Sequence, residues 1–167
     1  KLVLDAATIA RLPMLKMIAV AATGTNNVDL DACRARGIVV SNIRGYAVHT
    51  VPEHAIALML ALSRNVVAYR NSVQAGRWQE SEQFCFFDHP IRDLHGATLA
   101  VLGSGSLGDG VVRLAEAFGM HVLKAERKGA PVCRPGYTPF AEALAAADVV
   151  SLHCPLTPET QGLIGAN

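Results

Sequence analysis

The hydrophobic and polar positions of this chain follow two patterns, short continuous apolar runs and longer runs with helical spacing. The continuous runs predict strands at 15–22, 38–42, 98–102, 121–125 and 148–153. The helical spacing predicts helices at 5–12, with Asp5 as N-cap, and at 28–36, 50–76, 139–147 and a segment that Gly119 ends. Strands that alternate with helices are typical of βαβ units, so the pattern predicts an α/β fold with a parallel sheet.

The longest helical pattern spans 50–76 and begins with the spacing of a capping box. Thr50 lies three residues before Glu53, and Pro52 lies in the first turn, where proline is tolerated. Apolar residues extend around most of this helix. The pattern therefore predicts burial on nearly all sides, in the core, between two domains or against a second subunit.

The irregular stretch at 81–94 holds a concentration of large aromatic side chains. Phe84, Phe86 and Phe87 all lie in this region of weak periodicity. An arm that packs on another subunit would explain that concentration. We therefore predict a homodimer formed by the 50–76 helix and the arm at 84–88.

Candidate chemistry is concentrated where the predicted strand at 98–102 ends. It is followed at once by GSGSLG at 103–108, a G-x-G-x-x-G pattern that opens a helical segment. In a dinucleotide fold the three glycines allow a tight turn, the approach of a pyrophosphate and close helix–strand packing. The next predicted strand ends at Glu126, about where the ribose-binding acid of such a fold belongs. The segment therefore predicts a dinucleotide site.

Two residues directly after the motif depart from this pattern. Gly110 lies in the first helical turn, where glycine costs about 1 kcal/mol relative to alanine. Asp109 places an acid near the expected phosphates, although acids are favoured in a first turn and its side chain can point to solvent. Asp109 either weakens cofactor binding or has no effect on it, and the sequence leaves both interpretations open.

The residues after the second strand bear on the choice of cofactor. Glu126 can accept hydrogen bonds from ribose hydroxyls and would repel a 2′-phosphate, which favours NAD. Arg127 and Lys128 follow it and either bind that phosphate, which favours NADP, or form a solvated basic turn. We predict NAD as the preferred cofactor, with NADP binding that weakens as salt rises.

Composition narrows the remaining function classes. The chain is 51% hydrophobic and 17% charged, as expected for parallel strands covered on both faces. A net charge of +1 gives no support for nucleic acid or membrane-surface binding, and no apolar run approaches the roughly 20 residues of a membrane span. The four cysteines lack metal-ligand spacing, so we expect free thiols, no metal site and a cytoplasmic protein.

Further motifs carry a family resemblance over essentially the whole chain. They are ATGTNNVD at 22–29, HTVPEH at 49–54, LHG at 94–96 and LHCPLTPET at 152–160. Together with the glycine motif, this set resembles the D-isomer-specific 2-hydroxyacid dehydrogenases, and within them the glycerate dehydrogenase and hydroxypyruvate reductase subgroup.

The resemblance implies an architecture of two domains. The implied fold is a Rossmann-like, doubly wound parallel sheet, partly present, that follows the end of a flavodoxin-like substrate domain. The boundary would fall between 1–47, the last part of the substrate domain, and 48–167, the first part of the nucleotide domain with the hinge helix. Family members usually dimerise through the nucleotide domain.

The resemblance also implies roles for particular residues. Backbone amides at Thr23 and Gly24 would hold the substrate carboxylate, as suits a glycine turn that presents N–H groups to an anion. The implied cofactor-binding residues are Thr23, Gly103, Gly105, Ser106, Leu107, Gly108, Glu126, Arg127, His153, Cys154, Pro155 and Thr160.

The implied activity is hydride transfer between NAD or NADP and a small 2-hydroxy or 2-keto acid of the glycerate and hydroxypyruvate type. The family's catalytic arginine, glutamate and histidine are expected beyond Asn167, so no catalytic residue is assigned within the chain. The histidines at 49, 54, 89 and 95 are expected to be structural. The alternative is a catalytically inactive dinucleotide-binding or sensing module, or an inactive fragment.

Overall fold

The computed structural model describes residues 2–165, which form two compact units. One unit combines 2–46 with 155–165, and the other is Ala47–Cys154. The predicted domain limits at Lys1 and Asn167 lie outside the described residues.

The first unit is built on a pair of parallel strands. Strand β1 (Met17–Val20) pairs in parallel with β2 (Val39–Asn42), with Met17 opposite Val39. Helices α1 (Ala6–Ala10) and α2 (Leu30–Ala35) complete the unit. Its core consists of Ile9, Ile18, Val28, Cys33 and Ile38.

Aspartates set the starts of both helices in this unit. The Asp5 carboxylate accepts a hydrogen bond from the Thr8 N–H at 2.8 Å, which confirms the predicted N-cap. The Asp29 carboxylate accepts in the same way from the Ala32 N–H at 2.8 Å. Because Asp29 is the cap, α2 begins two residues later than the pattern at 28–36 predicts.

The second unit contains a three-stranded parallel sheet in the order β4-β3-β5. Its strands are β3 (Thr98–Leu102), β4 (His121–Ala125) and β5 (Val149–Leu152). The central strand is apolar after Thr98, and its residues from Leu99 onward are buried. Helix α5 (Ser106–Ala117) packs through Val111, Val112 and Ala115 into the same core, and α6 (Phe140–Ala146) precedes β5. Strands β3 and β4 have the bounds that the sequence predicts.

The prediction of one long helix at 50–76 is wrong. The structure has two helices there, α3 (Thr50–Ser63) and α4 (Val66–Gln74). Asn65 lies between them in the left-handed conformation, with φ of 49°. Its side-chain amide donates to the Pro90 carbonyl oxygen, and the Arg92 N–H donates to the Ser63 carbonyl at 2.8 Å. These tertiary contacts end α3 where helical propensity alone would continue it.

The predicted capping box at Thr50 is also wrong. The N-cap of α3 is His49, and no side chain caps this end. The N–H groups of Val51 and Glu53 donate instead to the carbonyls of Ala47 and His49, at 3.1 and 3.0 Å. The turn before the helix already supplies these acceptors, so the threonine hydroxyl has no cap to provide.

The α3 and α4 helices are not buried on nearly all sides within this chain, so the core of the chain alone does not supply the predicted burial. In α3 the buried residues are Pro52, Ile56 and Met59, whereas Leu62 is 77% exposed. In the predicted arm, Phe86 is buried and its ring centroid lies 5.3 Å from that of Tyr69. Phe84 and Phe87 are exposed. The homodimer stays a prediction, and these apolar groups are what a partner would have to cover.

Candidate functional site

The turn at Gly103 follows the central strand β3 and packs against the residues directly after β5. Gly103 has φ of +103°, and a Cβ there would lie 2.6 Å from the backbone nitrogen of Cys154. The adjacent His153 N–H donates to the Leu102 carbonyl at 2.7 Å. Only glycine fits this turn, because both the conformation and the contact exclude a side chain.

The other two glycines of the motif differ in their surroundings. A Cβ at Gly108 would lie 2.0 Å from the Gly103 carbonyl oxygen, so the start of α5 packs directly on the turn. A Cβ at Gly105 would meet nothing within 4 Å. Gly105 is the N-cap of α5 and provides no side-chain cap. The space above Gly105 is therefore open, and the uncapped N–H groups of the first helical turn suit an anionic group such as a pyrophosphate.

The structure accounts for Asp109 and Gly110. The Asp109 carboxylate accepts a hydrogen bond from the Lys124 ammonium at 3.2 Å, which offsets its charge beside the turn. Gly110 is buried against α3, where a Cβ would lie 2.6 Å from Cγ of Pro52. Close packing of the two helices thus explains the glycine that helix propensity disfavours.

Glu126 follows β4 and is the one buried charged residue of the described chain, with 5% of its surface exposed. Its Oε1 accepts from the Arg127 N–H and from Arg134 Nη2, both at 2.8 Å. Its Oε2 accepts from the Arg134 N–H at 3.0 Å and from Arg134 Nε at 2.7 Å. The hydrogen bonds from Arg134, followed by that from Arg127, lower the pKa of this carboxyl from 4.5 to about 2.

Arg134 is a site residue that sequence analysis missed. Its guanidinium carbon lies 3.8 Å from the centroid of the Tyr137 ring, and the Tyr137 hydroxyl donates to Ser104 Oγ at 2.5 Å. The contacts therefore connect Glu126 to the glycine turn. Arg134 lies eight residues beyond Glu126 in a proline- and glycine-containing loop, where no periodicity indicates which side chains turn inward.

The two basic residues that sequence analysis did consider are placed differently. Arg127 contacts Glu126 through its backbone N–H, and its side chain is exposed. The Lys128 ammonium lies 5.9 Å from the centroid of the Phe140 ring. An open cleft of about 490 Å³ is lined by Glu126, by parts of the loop after it and by Phe140. Its position beside Glu126 suits the adenosine end of a dinucleotide.

Two histidines contact hydroxyl groups. His153 Nε2 lies 2.8 Å from Ser151 Oγ, and burial lowers the pKa of this imidazole. His89 Nε2 lies 2.9 Å from Ser72 Oγ, whereas the His95 ring lies against Gly119. Within residues 2–165 no histidine forms an ion pair with a carboxylate. The structural roles expected of the histidines at 49, 54, 89 and 95 stay predictions.

Four predicted site residues lie in the first unit. Thr23 and Gly24 are exposed, and the Thr23 carbonyl accepts from Asn42 Nδ2 at 2.7 Å. Thr160 Oγ1 donates to the Pro155 carbonyl oxygen at 2.6 Å. The second unit brings together the glycine turn, Glu126 and the end of β5 with His153 and Cys154. The roles of the four residues in the first unit stay predictions.

Other potential site chemistry is sparse in the described part of the chain. Residues 2–165 contain no group of three or more histidine, cysteine or acidic side chains arranged for a metal ion, and the four cysteines are free. None of the helices described is long and apolar enough to cross a bilayer.

Sequence comparison identifies relatives over the whole chain. Residues 56–167 match the family described as D-isomer specific 2-hydroxyacid dehydrogenase, NAD binding domain. A putative 2-hydroxyacid dehydrogenase from Haemophilus influenzae is 53% identical, over 99% of this chain and 53% of the relative. A glycerate dehydrogenase from Methylorubrum extorquens is 49% identical, over 99% of this chain and 52% of the relative. The chain spans about half the length of the curated relatives it matches.

Solved structures have the same fold. The TT0316 protein from Thermus thermophilus has a TM-score of 0.81 at 38% identity, covering 96% of this chain and 50% of that one. A D-lactate dehydrogenase from Aquifex aeolicus, complexed with NAD and lactic acid, has a TM-score of 0.79 at 32% identity. The match covers 94% of this chain and 46% of that one. These similarities confirm the predicted α/β fold with a Rossmann-like parallel sheet, and NAD as the cofactor of the matched domain.

Proposed function

Because this chain belongs to the D-isomer-specific 2-hydroxyacid dehydrogenase family, we propose that the whole protein transfers a hydride between NAD and a small 2-hydroxy or 2-keto acid. The observation that carries this proposal is the empty space next to Gly105. It lies in a turn where close contacts exclude a side chain at Gly103 and at Gly108. Glycerate and hydroxypyruvate are the proposed substrate pair, since a relative at 49% identity is named glycerate dehydrogenase. Enzyme names among the relatives also favour this activity over an inactive sensing module.

The residues of the second unit fit a dinucleotide. We assign the pyrophosphate to the glycine turn and to the backbone N–H groups of Ser106 and Leu107, which open α5. Glu126 is assigned to the ribose hydroxyls, and Arg127, His153 and Cys154 to the margin of the same site. When bound, the nicotinamide supplies the hydride or accepts it, and the residues of the chain hold and orient the cofactor.

The remaining roles rest on the family resemblance. Thr23 and Gly24 are proposed to bind the substrate carboxylate through backbone amides, and Pro155 and Thr160 to contact the cofactor. The proposed domains are 1–47, from the substrate domain, and 48–167, from the nucleotide domain. Four free cysteines agree with the proposed cytoplasmic location.

Titration calorimetry with NAD, before and after substitution of Gly105, tests the cofactor site. A Cβ added at Gly105 would meet nothing within 4 Å, and the backbone φ there is ordinary, so we expect Gly105→Ala and Gly105→Val both to fold. Binding should weaken with Ala and be lost with Val, because the larger side chain occupies the space that the pyrophosphate needs.

Thermal melting of both variants provides the folding control. Wild-type affinity in folded Gly105→Val would contradict the assigned site. For the whole protein, the rate of NADH oxidation with hydroxypyruvate tests the activity, and a rate equal to that without protein would reject the proposed substrate.

A further inference from the structure

The Glu126 carboxylate has no acceptor position left for a ribose hydroxyl. An ionised carboxylate offers about four lone-pair sites on its two oxygens. Each oxygen of Glu126 already accepts two hydrogen bonds, one from a backbone N–H and one from the Arg134 side chain. A hydroxyl that donates to this carboxylate must therefore displace one of these four N–H groups, three of which belong to Arg134.

Arg134 is held in place from two sides. Its guanidinium pairs with Glu126 through Nε and Nη2, and the same group stacks on the Tyr137 ring. The Tyr137 hydroxyl is in turn bonded to Ser104 on the glycine turn. The guanidinium thus has a defined position between the proposed ribose and pyrophosphate sites.

Part of this guanidinium stays available to a ligand. The Arg134 side chain is 47% exposed, although its partner Glu126 is buried. Its Nη1 makes no hydrogen bond within residues 2–165. An arginine offers five N–H donors in a planar fork that matches the geometry of a phosphate. Arg134 can therefore remain bonded to Glu126 and still bind an anion through Nη1.

We propose that Arg134 determines the choice between NAD and NADP, by occupying the acceptor positions of Glu126 and by offering Nη1 to the 2′-phosphate of NADP. This inference rests on the proposed dinucleotide site. NAD binding requires its ribose hydroxyl to displace one of the four N–H groups on the carboxylate, and Arg134 supplies three of them. NADP binding leaves that pair intact and adds a charge-assisted hydrogen bond. Arg134 therefore weakens NAD binding, strengthens NADP binding and makes the site accept both.

Lys128 provides a matched control, because it carries the same charge in the same loop. Within the described residues, its ammonium lies near Phe140. Removing the Lys128 side chain lowers the local positive charge by one without freeing a lone pair of Glu126. A long-range effect of charge would therefore appear equally in the Lys128 and Arg134 variants, whereas a specific role would appear in the Arg134 variants alone.

The test is calorimetric titration of NAD and NADP into the wild type, Arg134→Ala, Arg134→Lys and Lys128→Ala. We expect Arg134→Ala to raise the ratio of NAD to NADP affinity by about tenfold or more, as loss of a hydrogen bond to a charged group implies. Arg134→Lys should give a ratio between those of the wild type and Arg134→Ala, since it keeps the charge and loses the fork. The control variant Lys128→Ala should change the ratio by less than about threefold, the range of weak exposed charge pairs.

A pair of smaller probes isolates the 2′-phosphate. Adenosine 5′-monophosphate and adenosine 2′,5′-bisphosphate differ in that group alone, and the second should lose affinity selectively in Arg134→Ala. Thermal melting checks the fold, because Arg134→Ala leaves a buried carboxylate with fewer partners. Arg134→Lys, which retains a cation for Glu126, keeps the test decisive if the alanine variant unfolds.

The outcomes separate this inference from the proposed function. If NAD binds but the ratio is unchanged in the Arg134 variants, the role of Arg134 is wrong and the dinucleotide site stands. An equal shift in Lys128→Ala would also reject a specific role for Arg134. If neither cofactor binds the folded wild-type protein, both the site and the inference are wrong.

Discussion

Gly110 of α5 packs against Pro52 of α3 so closely that a Cβ on the glycine would lie 2.6 Å from Cγ of the proline. The same atom would lie 3.4 Å from the Val48 carbonyl oxygen. A proline ring cannot rotate away as a flexible side chain can. Gly110 therefore sets the distance between the helix that follows the glycine turn and the helix beneath it.

Gly110→Ala should destabilise the protein despite the better helix propensity of alanine. The propensity gain is about 1 kcal/mol, whereas overpacking of a tight contact costs about 1–3 kcal/mol. The free energy of unfolding, measured in urea, should therefore fall by about 1 kcal/mol. Glu116→Ala, an exposed change on the same helix, should stay within about 0.5 kcal/mol of the wild type. A more stable Gly110→Ala variant would show that α3 and α5 separate easily.

The ion pair of Glu126 should make stability depend on acid pH. The pKa of the Glu126 carboxyl is about 2 in the folded protein, whereas an unperturbed glutamate in the unfolded chain has a pKa of about 4.5. Folding therefore favours the ionised form. That contribution is complete above about pH 4.5 and is lost as the pH falls toward 2. Asp5 and Asp88 also have a lowered pKa, and they affect the pH dependence in the same direction.

Comparison with Glu126→Gln isolates this carboxyl. The difference in melting temperature between the wild type and Glu126→Gln should be largest near neutral pH and shrink between pH 4.5 and 2. Glu116→Gln, which changes an exposed carboxyl on α5, should follow the wild type throughout. A constant difference across that pH range would mean that Glu126 is not stabilised as an anion.

Asn65 should tolerate glycine better than alanine, since it holds the left-handed turn between α3 and α4. Both substitutions lose the hydrogen bond to the Pro90 carbonyl, about 0.5–1.5 kcal/mol. Alanine adds a cost of about 1–2 kcal/mol for the left-handed conformation, which glycine avoids. The free energy of unfolding, measured in urea, should therefore be highest for the wild type, lower for Asn65→Gly and lowest for Asn65→Ala. An alanine variant as stable as the glycine variant would suggest that the two helices merge.

The elements that sequence analysis predicted correctly depend on local pattern. Strands β3 and β4 are short, mainly apolar runs that end before Gly103 and Glu126, and their predicted limits agree with the structure. The break at Asn65 was missed because its cause lies 25 residues away, at Pro90. Helical periodicity continues across 50–76 and carries no information about that contact.

The same distinction applies to the candidate site. The glycine turn is local, so its spacing alone placed it between β3 and α5. Glu126 was found by its distance along the chain from the motif. Its pairing with Arg134 was missed, because it depends on how the loop between them folds back. A buried carboxylate ordinarily requires a paired charge, so burial of Glu126 would have been the signal to look for one.

The apolar surface of α3 and α4 leads to a final prediction. We expect a homodimer that a single substitution to a charged residue on this surface disrupts. Leu58, Leu62, Val66 and Val67 are all at least half exposed within this chain, and Phe84 is 85% exposed. Large exposed apolar side chains in such number mark interaction surfaces, and a two-fold contact would cover the same residues on both copies. Sedimentation equilibrium should give a dimer for the wild type and a monomer for Leu62→Glu and Phe84→Glu. Val132→Glu, at an exposed apolar residue in the loop after Glu126, should remain dimeric. A monomeric wild type at micromolar concentration, or dimeric Leu62→Glu and Phe84→Glu variants, would place this surface outside any subunit contact.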